Sequence, residues 1–151
     1  MTAWMAASAV AVVRTESARY PGLETGGMLL GYWQDNDVVV TSASAPGPAA
    51  QRGRAWFRPD QEWQTEHLAR VYAASGRTIT YLGDWHIHPG GSAKPSRTDR
   101  KTMRAIRREP AARQPRPIMA IVAPDPGSLP VLWCLLGWRR PALIPFRVFD
   151  A

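Results

Sequence analysis

Cysteine is nearly missing from this sequence. Cys134 is the only one in 151 residues, so no disulfide can form within the chain. A Cys-x-x-Cys metal site is excluded for the same reason, and with it nucleoside-deaminase chemistry. Cys134 lies in the apolar run Val131-Leu132-Trp133-Cys134-Leu135-Leu136 and reads as a small buried hydrophobe. No apolar run is long enough to span a membrane. Residues 6–13 are apolar apart from Ser8, but no Lys or Arg precedes them and Arg14-Thr15-Glu16-Ser17 follows, which is unlike a secretory signal. A cytoplasmic protein is expected. The helical His-Glu-x-x-His motif of many zinc proteases is also absent.

Acidic residues are scarce: 12 Asp and Glu stand against 19 Lys and Arg, a net charge of +7. Eight of the 19 basic residues fall at Arg97, Arg100, Lys101, Arg104, Arg107, Arg108, Arg113 and Arg116. Such density fits nucleic acid, a membrane surface or an acidic protein as partner, or a solvated helix face in an Arg-rich composition. No recognised nucleic-acid motif or aromatic platform accompanies it, so a nucleic-acid partner and a membrane are not expected. Hydrophobic residues make up 45% of the chain and tryptophan occurs seven times, which is the profile of a packed protein. The length suits one domain, residues 1–151.

Histidine is also sparse, and two of the three lie in Asp84-Trp85-His86-Ile87-His88-Pro89. Strand alternation sends His86 and His88 to one face together with Asp84, while Trp85 and Ile87 turn into a core. Two imidazoles are half of what zinc requires; a catalytic site adds a third protein ligand and leaves the fourth position to water. Asp99 is the natural third ligand. It follows Ser96 by three residues at a helix start, with Met103 and Ile106 continuing at helical spacing. Ser-x-x-Asp alone would read as a cap, and Asp84 reads either as a carboxylate that orients a histidine or as a surface acid.

The pattern His86-x-His88-x7-Ser96-x-x-Asp99 comes with an upstream Glu24 in Glu24-Thr25-Gly26-Gly27-Met28-Leu29-Leu30-Gly31. It resembles the JAMM motif of the JAB/MPN metalloprotease family, with all five positions filled. The resemblance implies Zn2+ on His86, His88 and Asp99, Glu24 as proton-transfer group and Ser96 as hydrogen-bond donor to an oxyanion. It further implies a peptidase or isopeptidase acting after the C-terminal glycine of a ubiquitin-like protein, by deconjugation or precursor processing. Stand-alone prokaryotic members are similar in size. The implied partners are the ubiquitin-like protein or its conjugate and the E1/E2-like conjugation proteins of a bacterial system, antiphage systems included. Sulfur-carrier maturation and a non-catalytic scaffold are the alternatives. An extended substrate tail is expected beside residues 55–58, with Trp56 and Phe57 in contact with it.

The rest of the chain reads as an α/β (α+β) domain, a mixed, curved sheet flanked by helices. Helices are expected over residues 3–19, 61–74 and 97–108. The first should bury Trp4, Ala7, Ala11 and Ala18, and the second should lay Trp63, His67 or Leu68, Val71 and Tyr72 along one side. Strands are expected over 28–33, 38–41, 55–58, 78–88, 118–123, 129–138 and 144–149, with a loop over 44–54. Pro124-Asp125-Pro126-Gly127 and Arg139-Arg140-Pro141 should part the last three strands.

Overall fold

The computed structural model describes residues 1–123 and 128–151, so the expected break at Pro124-Asp125-Pro126-Gly127 lies outside the described residues. The chain runs β1 (Ala3–Ala6), α1 (Ala7–Arg19), β2 (Gly26–Gln34), β3 (Asp37–Ala43), β4 (Gln51–Arg52), β5 (Phe57–Arg58), α2 (Gln61–Ala74), β6 (Thr80–Ile87) and α3 (Arg97–Arg108). After a short 3-10 turn, β7 (Ile118–Val122), β8 (Val131–Cys134), β9 (Ala142–Ile144) and β10 (Phe146–Phe149) complete it. Among the described residues, eight strands form one mixed sheet in the order β10-β1-β3-β2-β6-β7-β8-β9, and β4 pairs with β5 in a separate ribbon. No helix among them is long and apolar enough to cross a membrane.

β9 and β10 stand at opposite edges of the sheet, yet Pro145 alone joins them. One residue spans only about 3.3–3.6 Å. The two edges are therefore drawn together, and the sheet curls until it is nearly closed. Pro145 also explains why residues 144–149 are two strands: it has no N–H to give a ladder, and its carbonyl accepts from the Ala3 amide at 2.9 Å.

The expected helix over residues 3–19 begins four residues late. Ala3–Ala6 instead forms β1, hydrogen-bonded in parallel to both β3 and β10. Two ladders and complete burial of Ala3, Met5 and Ala6 outweigh alanine's intrinsic helix preference. The buried face of α1 is accordingly Ala9, Val10, Val13 and Glu16, and Ala11 and Ala18 are exposed. The second helix starts where expected, with Asp60 accepting from the Trp63 amide as N-cap. Its packing is lighter than expected: Trp63, His67, Leu68, Val71 and Tyr72 are only half-buried, and Gln64 is its one buried side chain.

β6 lies at the centre of the sheet, antiparallel to β2 and parallel to β7. Trp85 is fully buried and its indole donates to the Ser44 carbonyl at 2.8 Å. Side chains of this size each contribute about 1.5–3 kcal/mol by leaving water. The close approach of β2 to β6 demands glycine. A Cβ at Gly26 would stand 2.2 Å from the Trp85 carbonyl oxygen of β6; on the other side, one at Gly27 would stand 1.9 Å from the carbonyl oxygen of Ser44, just past β3.

Candidate metal centre

The end of β6 carries the histidine pair to the mouth of the sheet. Gly26 faces His86 in register, and the His88 amide is held by the Val122 carbonyl at 3.0 Å. Trp85 and Ile87 turn into the core, while Asp84, His86 and His88 line one cavity of about 660 Å³. The N-terminus of α3 forms the facing wall. Ser96 is its N-cap, accepting from the Asp99 amide at 3.1 Å, and the Asp99 carboxylate returns the bond by accepting from the Ser96 amide at 2.7 Å. This reciprocal capping box fixes the carboxylate beside the histidines.

Three ligand atoms converge there. Nε2 of His86 is 2.8 Å from Nε2 of His88, and the Asp99 carboxylate lies 3.1 Å from each. All three lie within 4.8 Å of one another. Nδ1 of His88 lies 2.7 Å from the Ser92 carbonyl, which only accepts, so Nδ1 carries a proton and a neutral ring presents its Nε2 lone pair to the cluster. Lone pairs of two rings and a carboxylate converging on one point repel unless a cation or a proton lies between them. Ligand atoms around a tetrahedral zinc stand about 3.3 Å apart at bonds of about 2.0–2.1 Å. The donor set and its spacing therefore fit zinc.

The same convergence governs the local charges. Hydrogen bonding to Asp99 raises the pKa of His88 against the opposing effect of burial. Burial pushes Asp99 up, but once a proton lies between the carboxylate and the rings, the hydrogen bonds from His86 and His88 outweigh it and hold the carboxyl well below the usual range. Glu24 precedes β2, lines the same cavity, and is held above its ordinary value by burial, with His86 and His88 pulling the other way. Ser96 is exposed at the cavity rim. Since its oxygen accepts from the Asp99 amide, its own O–H is left to donate.

Trp56 and Phe57 line the cavity from the β4–β5 ribbon, Trp56 half exposed. All seven residues singled out in the sequence thus meet at one cavity. Asp84 takes neither of its two expected places. It accepts from the Tyr81 hydroxyl at 2.9 Å, and burial pushes its carboxyl up to about 6 against that bond. With Phe57 it also lines a second cavity, of about 540 Å³, between α2 and α3. The sequence reading missed a further cluster behind Glu24. Glu16, Thr25 and Arg52 are mutually hydrogen-bonded. Its one sequence signal was a carboxylate continuing the stripe Ala9, Val10, Val13 at helical spacing.

The sheet, the histidine strand and the capped aspartate together define a class. The sequence model for prokaryotic homologues of the JAB domain matches residues 6–135. The chain belongs to that family, and is by membership an enzyme of the metallopeptidase class. Among relatives, the "Probable metalloprotease y4qB" of Sinorhizobium fredii is 44% identical over 143 residues, covering 93% of this chain and 87% of that protein. A protein named "CD-NTase/cGAS isopeptidase" from Enterobacter hormaechei is 32% identical over 127 residues, covering 82% of this chain and 68% of its own length. A Desulfitobacterium hafniense protein of known solution structure superposes with a TM-score of 0.69 at 17% identity, covering 99% of this chain and 94% of its own, which shows the shared fold.

Proposed function

We propose that this protein is a zinc-dependent isopeptidase or peptidase that cuts after the C-terminal glycine of a ubiquitin-like protein. The observation that carries the reading is the meeting of His86, His88, Asp99 and Glu24 at one cavity in a JAB-family chain. His86, His88 and Asp99 would hold the metal, and zinc bound there would supply a Lewis acid that lowers the pKa of a coordinated water to about 7.

The other steps belong to side chains. Glu24, its proton affinity raised by burial, accepts the proton of the attacking water and returns it to the leaving amine. Ser96 donates its free O–H to the oxyanion that develops on the scissile carbonyl. The substrate tail lies extended beside the β4–β5 ribbon, against Trp56 and Phe57. The relatives named CD-NTase/cGAS isopeptidase support an isopeptide bond as the one that is cut; we assign the activity to a bacterial conjugation system in the cytoplasm.

Intact-mass analysis of ubiquitin-like proteins carrying C-terminal extensions tests this. Loss of the extension at the terminal glycine is expected with the zinc-loaded protein, and none after Glu24→Ala substitution or chelation. A protein holding one zinc per chain that leaves every extension in place would count against a ubiquitin-like substrate.

A further inference from the structure

We propose that Glu16, Thr25 and Arg52 form a clasp that positions Glu24, an inference that rests on the reading of Glu24 as the proton-transfer group. The carboxylate of Glu24 accepts no hydrogen bond among the described residues, so its place depends on its backbone. Both flanks of that backbone are tied to one buried cluster. On one side the Glu24 amide donates to the Gly53 carbonyl at 2.8 Å, next to Arg52. On the other stands Thr25, fully buried, whose carbonyl accepts from Ile87 at 3.0 Å between the two histidines.

The Thr25 hydroxyl joins the two flanks. It donates to Glu16 at 3.0 Å and accepts from Nε of Arg52 at 3.1 Å, while Arg52 also donates to Glu16 at 2.8 Å. The ion pair is nearly enclosed, with side chains 13% and 7% exposed. The guanidinium is further pinned over the Tyr20 ring at 3.7 Å. Among the described residues, this is the only Lys or Arg side chain that is ion-paired to a carboxylate. The core of the fold does not need such a pair, since apolar side chains would fill the same space at least as favourably. What the pair does uniquely is link α1 and the β4 ribbon to Thr25, next to Glu24, with Arg52 itself next to the Gly53 that holds the Glu24 amide. These are positioning residues: none of the three lines the metal cavity.

Truncating Arg52 alone would strand a buried carboxylate, so the test uses Thr25→Val and the double variant Glu16→Met/Arg52→Met, which leaves no charge behind. Zinc-loaded samples are assayed on an extended ubiquitin-like protein, and amide hydrogen exchange is followed at Glu24. Displacing the carboxylate by about 1 Å is expected to lower kcat about 10–100-fold, with KM and zinc per chain unchanged. The Glu24 amide should exchange faster, and Thr25→Ser should restore both readouts. Wild-type kcat, unaltered Glu24 exchange, or loss of zinc in step with kcat in the folded variants would each overturn the proposal. If the unsubstituted protein cleaves nothing while Glu24 exchange responds as stated, the clasp stands and the reading of a ubiquitin-like substrate fails.

Discussion

The two walls of the metal cavity are built in opposite ways. His86 and His88 extend from β6, which has a hydrogen-bonded neighbour on each side, and Asp99 is locked by a capping box. Glu24, Trp56 and Phe57 come instead from a connection and from a ribbon of two-residue strands outside the large sheet. Ligand atoms must be held to fractions of an ångström, which paired backbone provides. A wall that receives a peptide tail can rest on fewer backbone bonds, because part of its order is supplied on binding. The contrast makes the wall opposite the ligands depend on side-chain contacts.

The contrast breaks most sharply at the ligand wall. His86→Ala or Asp99→Ala should abolish cleavage and take zinc from one per chain to near zero, read by elemental analysis after dialysis. Glu24→Gln should keep the zinc and lower kcat roughly 10²–10⁴-fold. Because burial raises the Glu24 pKa and the group must be ionised to accept a proton, kcat/KM should fall on the acid side at a pH above that of an ordinary glutamate. Ser96→Ala should cost about 100-fold in kcat through the lost donor and about 1 kcal/mol of stability through the lost cap. Loss of stability alone would remove Ser96 from the chemistry.

On the opposite wall the expected effects are on binding. Trp56→Ala and Phe57→Ala should each raise KM about tenfold, the size of a well-packed contact, with little change in kcat. An unchanged KM would show that the tail runs elsewhere. Away from both walls, burial pushes the Cys134 thiol up to about 11 from 9.0. Below pH 9 both folded and unfolded chains keep that proton. Between pH 9 and 11 only the unfolded chain releases it, so stability should fall as pH rises, by at most about 1.4 kcal/mol per pH unit. Cys134→Val should flatten that part of a denaturation series.

Much of the ligand wall was legible in the sequence because its chemistry is local. Period-two alternation sets His86 and His88 on one side of a strand, and a three-residue step sets Ser96 and Asp99 in one helical turn. Neither depends on distant residues. The β1 strand was not legible, since Ala3–Ala6 is helical by composition and becomes a strand only when β3 and β10 are present to pair with it. Nor was the place of Asp84, whose partner Tyr81 is close in sequence but whose burial comes from other elements.

By itself, then, the sequence determined the candidate ligand set, the capped helix that presents one member of it, and the mixed class of the fold. These follow from spacing along single strands and helices. Tertiary structure alone decided that the sheet curls until its edges nearly meet, that Gly26 lets β2 close on β6 and Gly27 lets it close on Ser44 past β3, and that Glu16 and Arg52, thirty-six positions apart, meet at Thr25. Such contacts join residues whose separation along the chain carries no information about their distance in space. Only the packing of all the strands together brings them within reach.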